Sequence, residues 1–140
     1  MTDRKLGFIV KDQTPLVLGE HETVQQACRA MWSRRAGSVL VVNNAQRLCG
    51  IFTGRDAVRL LGQGKDAAVT TLDQAMTRDP VTISPDSRAI DALRTMSDSG
   101  FRHLPVVEDG QIWGIVSRGD FKGVEIERLD DEEHLWECIR

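Results

Sequence analysis

The chain has 140 residues, of which 41% are apolar and 28% charged, a balance that suits one compact domain or two small linked halves and leaves no place for a long disordered region. No apolar run approaches the roughly 18 residues of a membrane span, and the start MTDRKLGFIV lacks the apolar core and cleavage site of a secretory signal, so a cytoplasmic location is expected. The net charge of -3 is uneven: residues 124–140 carry -5 and the rest +2, with no basic stripe of the kind a nucleic-acid binder shows. The odd, widely spaced Cys28, Cys49 and Cys138 fit neither a disulfide framework nor the close doublets of a zinc site, and are read as reduced thiols.

In chain order, LGFIV near the start has strand character, within an arm over 1–14. PLVL, from Pro15, reads as a short extended piece. Thr23 and Gln26 form a capping-box pattern, and Val24, Ala27, Cys28, Met31 and Trp32 follow the spacing of an amphipathic helix. VLVV and LCGIF, separated by a polar turn, predict two adjacent antiparallel strands, after which Asp56 stands where it could cap a helix over AVRLLGQG. A linker over 65–79 contains a short helical turn from Leu72 to Met76, with Thr71 as its cap. PVTI is again extended, and Ala89, Ala92, Leu93 and Met96 repeat the helical spacing. LPVV and IWGIV predict a hairpin around Asp109-Gly110, a strong turn signal, and Asp120 could cap a shorter helix, FKGV. The acidic tail over 124–140 places Leu129, Leu135, Trp136 and Ile139 on a partial helical stripe.

This order occurs twice. Shifting the chain by 65 positions brings Pro15 onto Pro80, Ala27 onto Ala92, Met31 onto Met96 and Val41-Val42 onto Val106-Val107. Past the turns, where one loop is a residue longer, the shift is 64, and GIFTGRD (50–56) meets GIVSRGD (114–120). The chain thus reads as a first repeat over 15–64 and a second over 80–123.

The repeated order, with AMTRDPVTISPD opening the second half, RHLPVV in its middle and GIFTGRD or GIVSRGD near the close of each, resembles the cystathionine beta-synthase (CBS) domain pair, or Bateman module, over about residues 7–124. The resemblance implies an α/β (α+β) fold of tandem repeats, each a small β-sheet with two helices, packed about a pseudo-twofold axis. It also implies clefts between the repeats that take adenosine-containing ligands such as AMP, ADP, ATP, NAD or S-adenosylmethionine. No cofactor is required; the nucleotide is a regulatory ligand.

By that resemblance Thr53, Asp56, Ser117 and Asp120 bind ribose. The chemistry is sound, because a carboxylate accepts hydrogen bonds from two neighbouring hydroxyls and a Thr or Ser hydroxyl can join them. Thr53 and Asp56 are expected to face Val81, Phe101, Arg102 and His103, whereas Ser117 and Asp120 face Leu16, Val17, Gly37 and Ser38. Arg102 and His103 can hold phosphate and Gly37 and Ser38 cannot, so the cleft of Thr53 and Asp56 is expected to bind a phosphorylated ligand more tightly. The plainer reading makes Thr53, Ser117 and both aspartates helix caps and Arg102 a surface charge.

Catalysis finds little support: there is no GxSxG, no P-loop and no HExxH, and His21, His103 and His134 are scattered. Cys28 lies on the apolar helical stripe and Cys49 replaces Trp113 in a strand, which reads as packing. The resemblance further implies a homodimer through helices, to which Trp32, Trp113 and Trp136 could contribute, and leaves room for a separate protein target. A dimerising module without nucleotide is the rival.

Overall fold

In the computed structural model, residues 4–121 are described. The acidic tail, with His134, Trp136 and Cys138, and all of FKGV beyond Phe121 lie outside the described residues. Backbone packing divides the chain into two units, residues 14–80 and residues 1–13 together with 81–140.

In the first unit, the extended piece after Pro15 narrows to β1 (Val17–Gly19), which pairs in parallel with β2 (Ser38–Val42), Val17 opposite Leu40. Parallel neighbours need a crossover, and α2 (Val24–Arg34) supplies it. That helix starts at the expected capping box: the Thr23 amide donates to Gln26 Oε1 at 2.7 Å and the Gln26 amide to Thr23 Oγ1 at 3.2 Å. Its inner face is Val24, Ala27 and Met31, at i, i+3 and i+7. Trp32, expected on the same stripe, is instead 88% exposed. One residue on from Met31, in the last turn, it has rotated past the core, and Arg35 at φ 52° ends the helix.

All five residues of β2 are buried, and β3 (Leu48–Thr53) pairs antiparallel to it, with a bulge between Val41 and Val42. The chain then turns into α3 (Gly54–Gly62), and α4 (Leu72–Ala75) follows, within the span expected to be helical. A two-residue strand, β4 (Thr77–Arg78), completes the sheet in the order β1-β2-β3-β4, with Gly50 opposite Arg78 and Ile51 opposite Thr77. Phe52, Val39, Val41, Ala27 and Leu72 meet in the core of this unit.

The second unit begins with a helix. LGFIV, expected as strand, is the helix α1 (Leu6–Val10). Its fully buried residues, Leu6 and Val10, stand four apart, a helical and not an alternating spacing, and the surroundings take up its amides. Leu6 and Gly7 donate to the carbonyls of Ser87 and Pro85, both at 2.9 Å. A pentapeptide is too short for its own periodicity to decide between the two states, and tertiary packing decides here.

Beside α1 lie α5 (Ala89–Ser99) and the hairpin of β5 (His103–Glu108) and β6 (Gln111–Ser117). Ala89, Ala92, Leu93 and Met96 are all buried, as their spacing predicts, and Ile90 joins them. Asp109 and Gly110 both have positive φ, 51° and 77°, which a two-residue hairpin turn of this hand demands and an Asp-Gly pair tolerates. PVTI forms less strand than expected: only Ile83 makes a bridge, parallel to Val106, with its amide and carbonyl bonded to Pro105 and Val107 at 3.0 Å each. The β5–β6 pair carries a bulge between Val106 and Val107, the counterpart of the one at Val41 and Val42.

The two glycines that open the duplicated motif are packing devices. A Cβ on Gly50 would stand 2.8 Å from Met76 Cγ and 3.0 Å from the Thr77 carbonyl; one on Gly114 would stand 2.7 Å from both Val10 Cβ and Gln13 Oε1. In each unit the segment ahead of a repeat crosses the strand at its glycine, where no side chain is in the way.

Candidate functional site

After β3 and after β6 the chain leaves the sheet through the same corner. At the first, Thr53 is the N-cap of α3 and Asp56 is the third helical residue, closing a capping box. The Thr53 amide donates to Asp56 Oδ2 at 2.9 Å and its hydroxyl to the same oxygen at 3.1 Å, while the Asp56 amide lies 3.4 Å from Thr53 Oγ1. Asp56 Oδ1 faces Arg59 Nη2 at 3.5 Å, and that guanidinium also donates to the Ala75 carbonyl at 2.9 Å. The Asp56 side chain is only 16% exposed.

The second corner is built alike around Ser117 and Asp120, on a single 3-10 turn, Arg118–Asp120. The Ser117 amide and hydroxyl both donate to Asp120 Oδ2, at 2.7 and 3.2 Å. Asp120 is exposed, and among the described residues its Oδ1 has no hydrogen-bond or ion-pair partner. Arg4 donates to its main-chain carbonyl at 3.1 Å. Both aspartates, expected as caps themselves, are thus the third residue of a box whose cap is the Thr or Ser. In both, the carboxylate three residues on reaches back to the strand amide, and at the first corner the shorter hydroxyl also meets the helix amide. A carboxylate has about four lone-pair directions and the box uses two, both on Oδ2, so capping leaves acceptor capacity on Oδ1.

The strand register sets which of the other sequence-derived residues meet these corners within a unit. Ser38 stands opposite Thr53 and is 8% exposed, and the Gly37 carbonyl accepts from the Gly54 amide at 3.2 Å. Leu16 is half-buried, with its carbonyl bonded to the Leu40 amide at 2.9 Å, and Val17 is exposed. His103 stands opposite Ser117, at the place Ser38 holds in the first unit. Arg102 and Phe101, just ahead of it, are exposed, as is Val81. Within its own unit, then, His103 accompanies Ser117 and Asp120, the corner to which the resemblance does not assign it.

His103 is half-buried, and burial lowers its imidazole below the usual value; Asp120 acts in the opposite sense and Arg102 in the same one. Burial raises the Cys28 thiol, and Cys49 is pushed up to about 11 by burial first and then by its hydrogen bond to Glu20, 3.5 Å away. Neither thiol is activated as a nucleophile. No group of three or more metal-ligating side chains gathers among the described residues.

Residues 10–63 and 69–126 each match the family model of the CBS domain. The chain belongs to the CBS domain family. It is 42% identical over 98 residues to the CBS domain-containing protein CBSCBSPB2 of Arabidopsis thaliana, a match covering 69% of this chain but 18% of that protein. The chain therefore spans less than a fifth of the length of this curated relative. Among solved structures, a CBS domain protein from Pyrobaculum aerophilum complexed with AMP superposes with a TM-score of 0.83 at 20% identity, over 91% of this chain and 99% of that one. The CBS domain pair of protein MJ0100, in complex with 5-methylthioadenosine and S-adenosyl-L-methionine, has a TM-score of 0.75 at 23% identity, over 93% and 98%. These two likenesses establish the shared fold. The chain carries a CBS pair, a regulatory module, and among the described residues no helix is long and apolar enough to cross a membrane.

Proposed function

We propose that this CBS pair is a sensor of adenosine-containing nucleotides, with Asp56 and Asp120 accepting hydrogen bonds from ribose hydroxyls and Thr53 and Ser117 beside them. The observation that carries the reading is the duplicated corner, in which the capping box uses one carboxylate oxygen and leaves the other, which Arg59 meets at Asp56 and which has no partner among the described residues at Asp120. Leu16, Val17, Gly37, Ser38, Val81 and Phe101 supply base contacts, and Arg102 and His103 the phosphate contacts. The strand register supports assigning the basic pair to the corner of Ser117 and Asp120; the assignment to Thr53 and Asp56 is the alternative. The AMP and S-adenosyl-L-methionine complexes of proteins with this fold support the ligand class.

A thermal-shift series with AMP, ADP, ATP, NAD and S-adenosylmethionine tests the reading. A ligand at a hundred times its Kd stabilises by about 2.7 kcal/mol, and at least one of the five is expected to raise the melting temperature. Asp120→Ala should abolish more of the shift given by a phosphorylated ligand than Asp56→Ala; the reverse order would favour the alternative assignment. No shift from any compound at millimolar concentration would leave the nucleotide-free dimerising module. That second reading has its own support in Trp32, Val58 and Leu61, which are 88%, 70% and 81% exposed on α2 and α3. A homodimer through these helices is compatible with either reading, and sedimentation of Trp32→Asp against wild type tests it: a shift to monomer is expected, and an unchanged mass excludes Trp32 from the contact.

A further inference from the structure

The two corners share the carboxylate-to-strand-amide contact but differ in the residue across from the hydroxyl: Ser38 opposite Thr53, and His103 opposite Ser117. The first corner's remaining carboxylate oxygen is occupied by Arg59, whereas Oδ1 of Asp120 has no partner among the described residues. Only the second corner therefore pairs an open carboxylate with a group that gains or loses a proton near neutral pH.

We propose that His103 makes the Ser117–Asp120 corner proton-linked: a phosphoryl group held there draws a proton onto His103, so its affinity rises as pH falls, while the Thr53–Asp56 corner has no such dependence. The proposal rests on the nucleotide reading for the biological ligand and on the strand register for the chemistry. In the free protein burial disfavours the cation of the half-buried imidazole and Arg102 adds to that effect, against Asp120. Asp120 on the 3-10 turn and Arg102 beside the ring act on it, and Arg4 reaches the Asp120 carbonyl; among the described residues β6, α1 and α5, the elements packed against β5, bring no charge that acts on the ring.

A phosphoryl group carries close to two negative charges at neutral pH and accepts strong hydrogen bonds, so at this place it favours the imidazolium. The sign follows. The His103 pKa rises in the complex, so the added affinity is fully present below the free-state pKa and is lost as pH rises through the complexed one. Each unit by which the ligand raises that pKa strengthens binding at low pH by up to about tenfold.

The test follows the imidazole resonance of His103 by NMR titration in the full chain, assigned by its loss in His103→Gln. The titration is made alone, with inorganic phosphate, with AMP and with adenosine. The free ring is expected to titrate below the ordinary histidine value, lower still in Asp120→Asn, and to move up with phosphate and with AMP but not with adenosine. Calorimetry is expected to show AMP binding more tightly at pH 6.0 than at pH 7.5 in wild type by a factor of about three to ten, and His103→Gln to lose that part of the dependence which the protonation of AMP itself does not explain. A His103 pKa unmoved by both phosphate and AMP overturns the proposal, even if AMP stabilises the protein and the nucleotide reading stands. A pKa raised by phosphate with no stabilisation by any adenosine compound would keep the proton linkage and sink the nucleotide reading.

Discussion

Each unit covers the open side of its own hairpin in a different way. In the first, the open side of β3 is covered by main chain, β4, with Arg78 opposite Gly50 and Thr77 opposite Ile51. In the second, the equivalent side of β6 is covered by one side chain: Gln13 Nε2 donates to the Ile115 carbonyl at 2.9 Å and the Ile115 amide donates to Gln13 Oε1 at 3.0 Å. Ile115 corresponds to Ile51, which pairs with Thr77, whereas Gln13 corresponds to Arg78, the next residue along, so the cover has moved by one position and a side-chain amide has replaced a peptide group. Duplication preserved the requirement that the strand's amide and carbonyl be satisfied, and left open which group satisfies them.

The core separates the units most strongly. Phe52 and Val116 hold the same place and are both fully buried. Phe52→Ala is expected to destabilise by about 3–5 kcal/mol, whereas Val116→Ala, removing two carbons, should cost about 2 kcal/mol. Urea melts of the two variants measure the gap, and equal losses would mean that the cavity left in the first unit collapses.

Next come the crossing glycines. Gly114→Ala should cost more of the roughly 1–3 kcal/mol typical of overpacking than Gly50→Ala, because Val10 Cβ is fixed to a helix while the Met76 side chain can swing aside. The same melts decide it, and an order of losses with Gly50 first would make the Thr77 carbonyl the dominant obstacle.

The smallest expected effect addresses the covered strands. Gln13→Ala strands one amide and one carbonyl of Ile115 and should cost about 1–2 kcal/mol, with faster hydrogen exchange at the Ile115 amide. Arg78→Ala keeps the main-chain pairing of β4 and should stay within about 0.5 kcal/mol of wild type. Unchanged exchange at Ile115 in the Gln13 variant would show that this strand has another cover.

Much of this architecture is legible in the chain itself. The box at Thr23 and Gln26, the stripe of Ala89, Ala92, Leu93 and Met96, and the Asp109-Gly110 turn are local, set by residues within a few positions of one another. LGFIV was not legible, because five residues carry too little periodicity and its helical state depends on the carbonyls of Ser87 and Pro85, some eighty residues away. Trp32 misled because apolar spacing alone does not tell where a helix runs out of core. At the candidate site, the paired Thr53-Asp56 and Ser117-Asp120 stand out by their duplication, but their division into cap and box partner depended on backbone geometry. The partnership of His103 with Ser117 is a matter of strand register, which joins residues fourteen apart through a hairpin with a bulge.

The sequence by itself determined the duplication, the family and the positions of the two corners, since those rest on short-range patterns that recur at a constant shift. Tertiary structure alone decided that the arm before the first repeat is helical and joins the second unit, that Arg59 occupies one aspartate while the other's Oδ1 has no partner among the described residues, and that a histidine stands across from one hydroxyl where a serine stands across from the other. Those contacts are made between segments distant in the chain, and only packing brings them within reach.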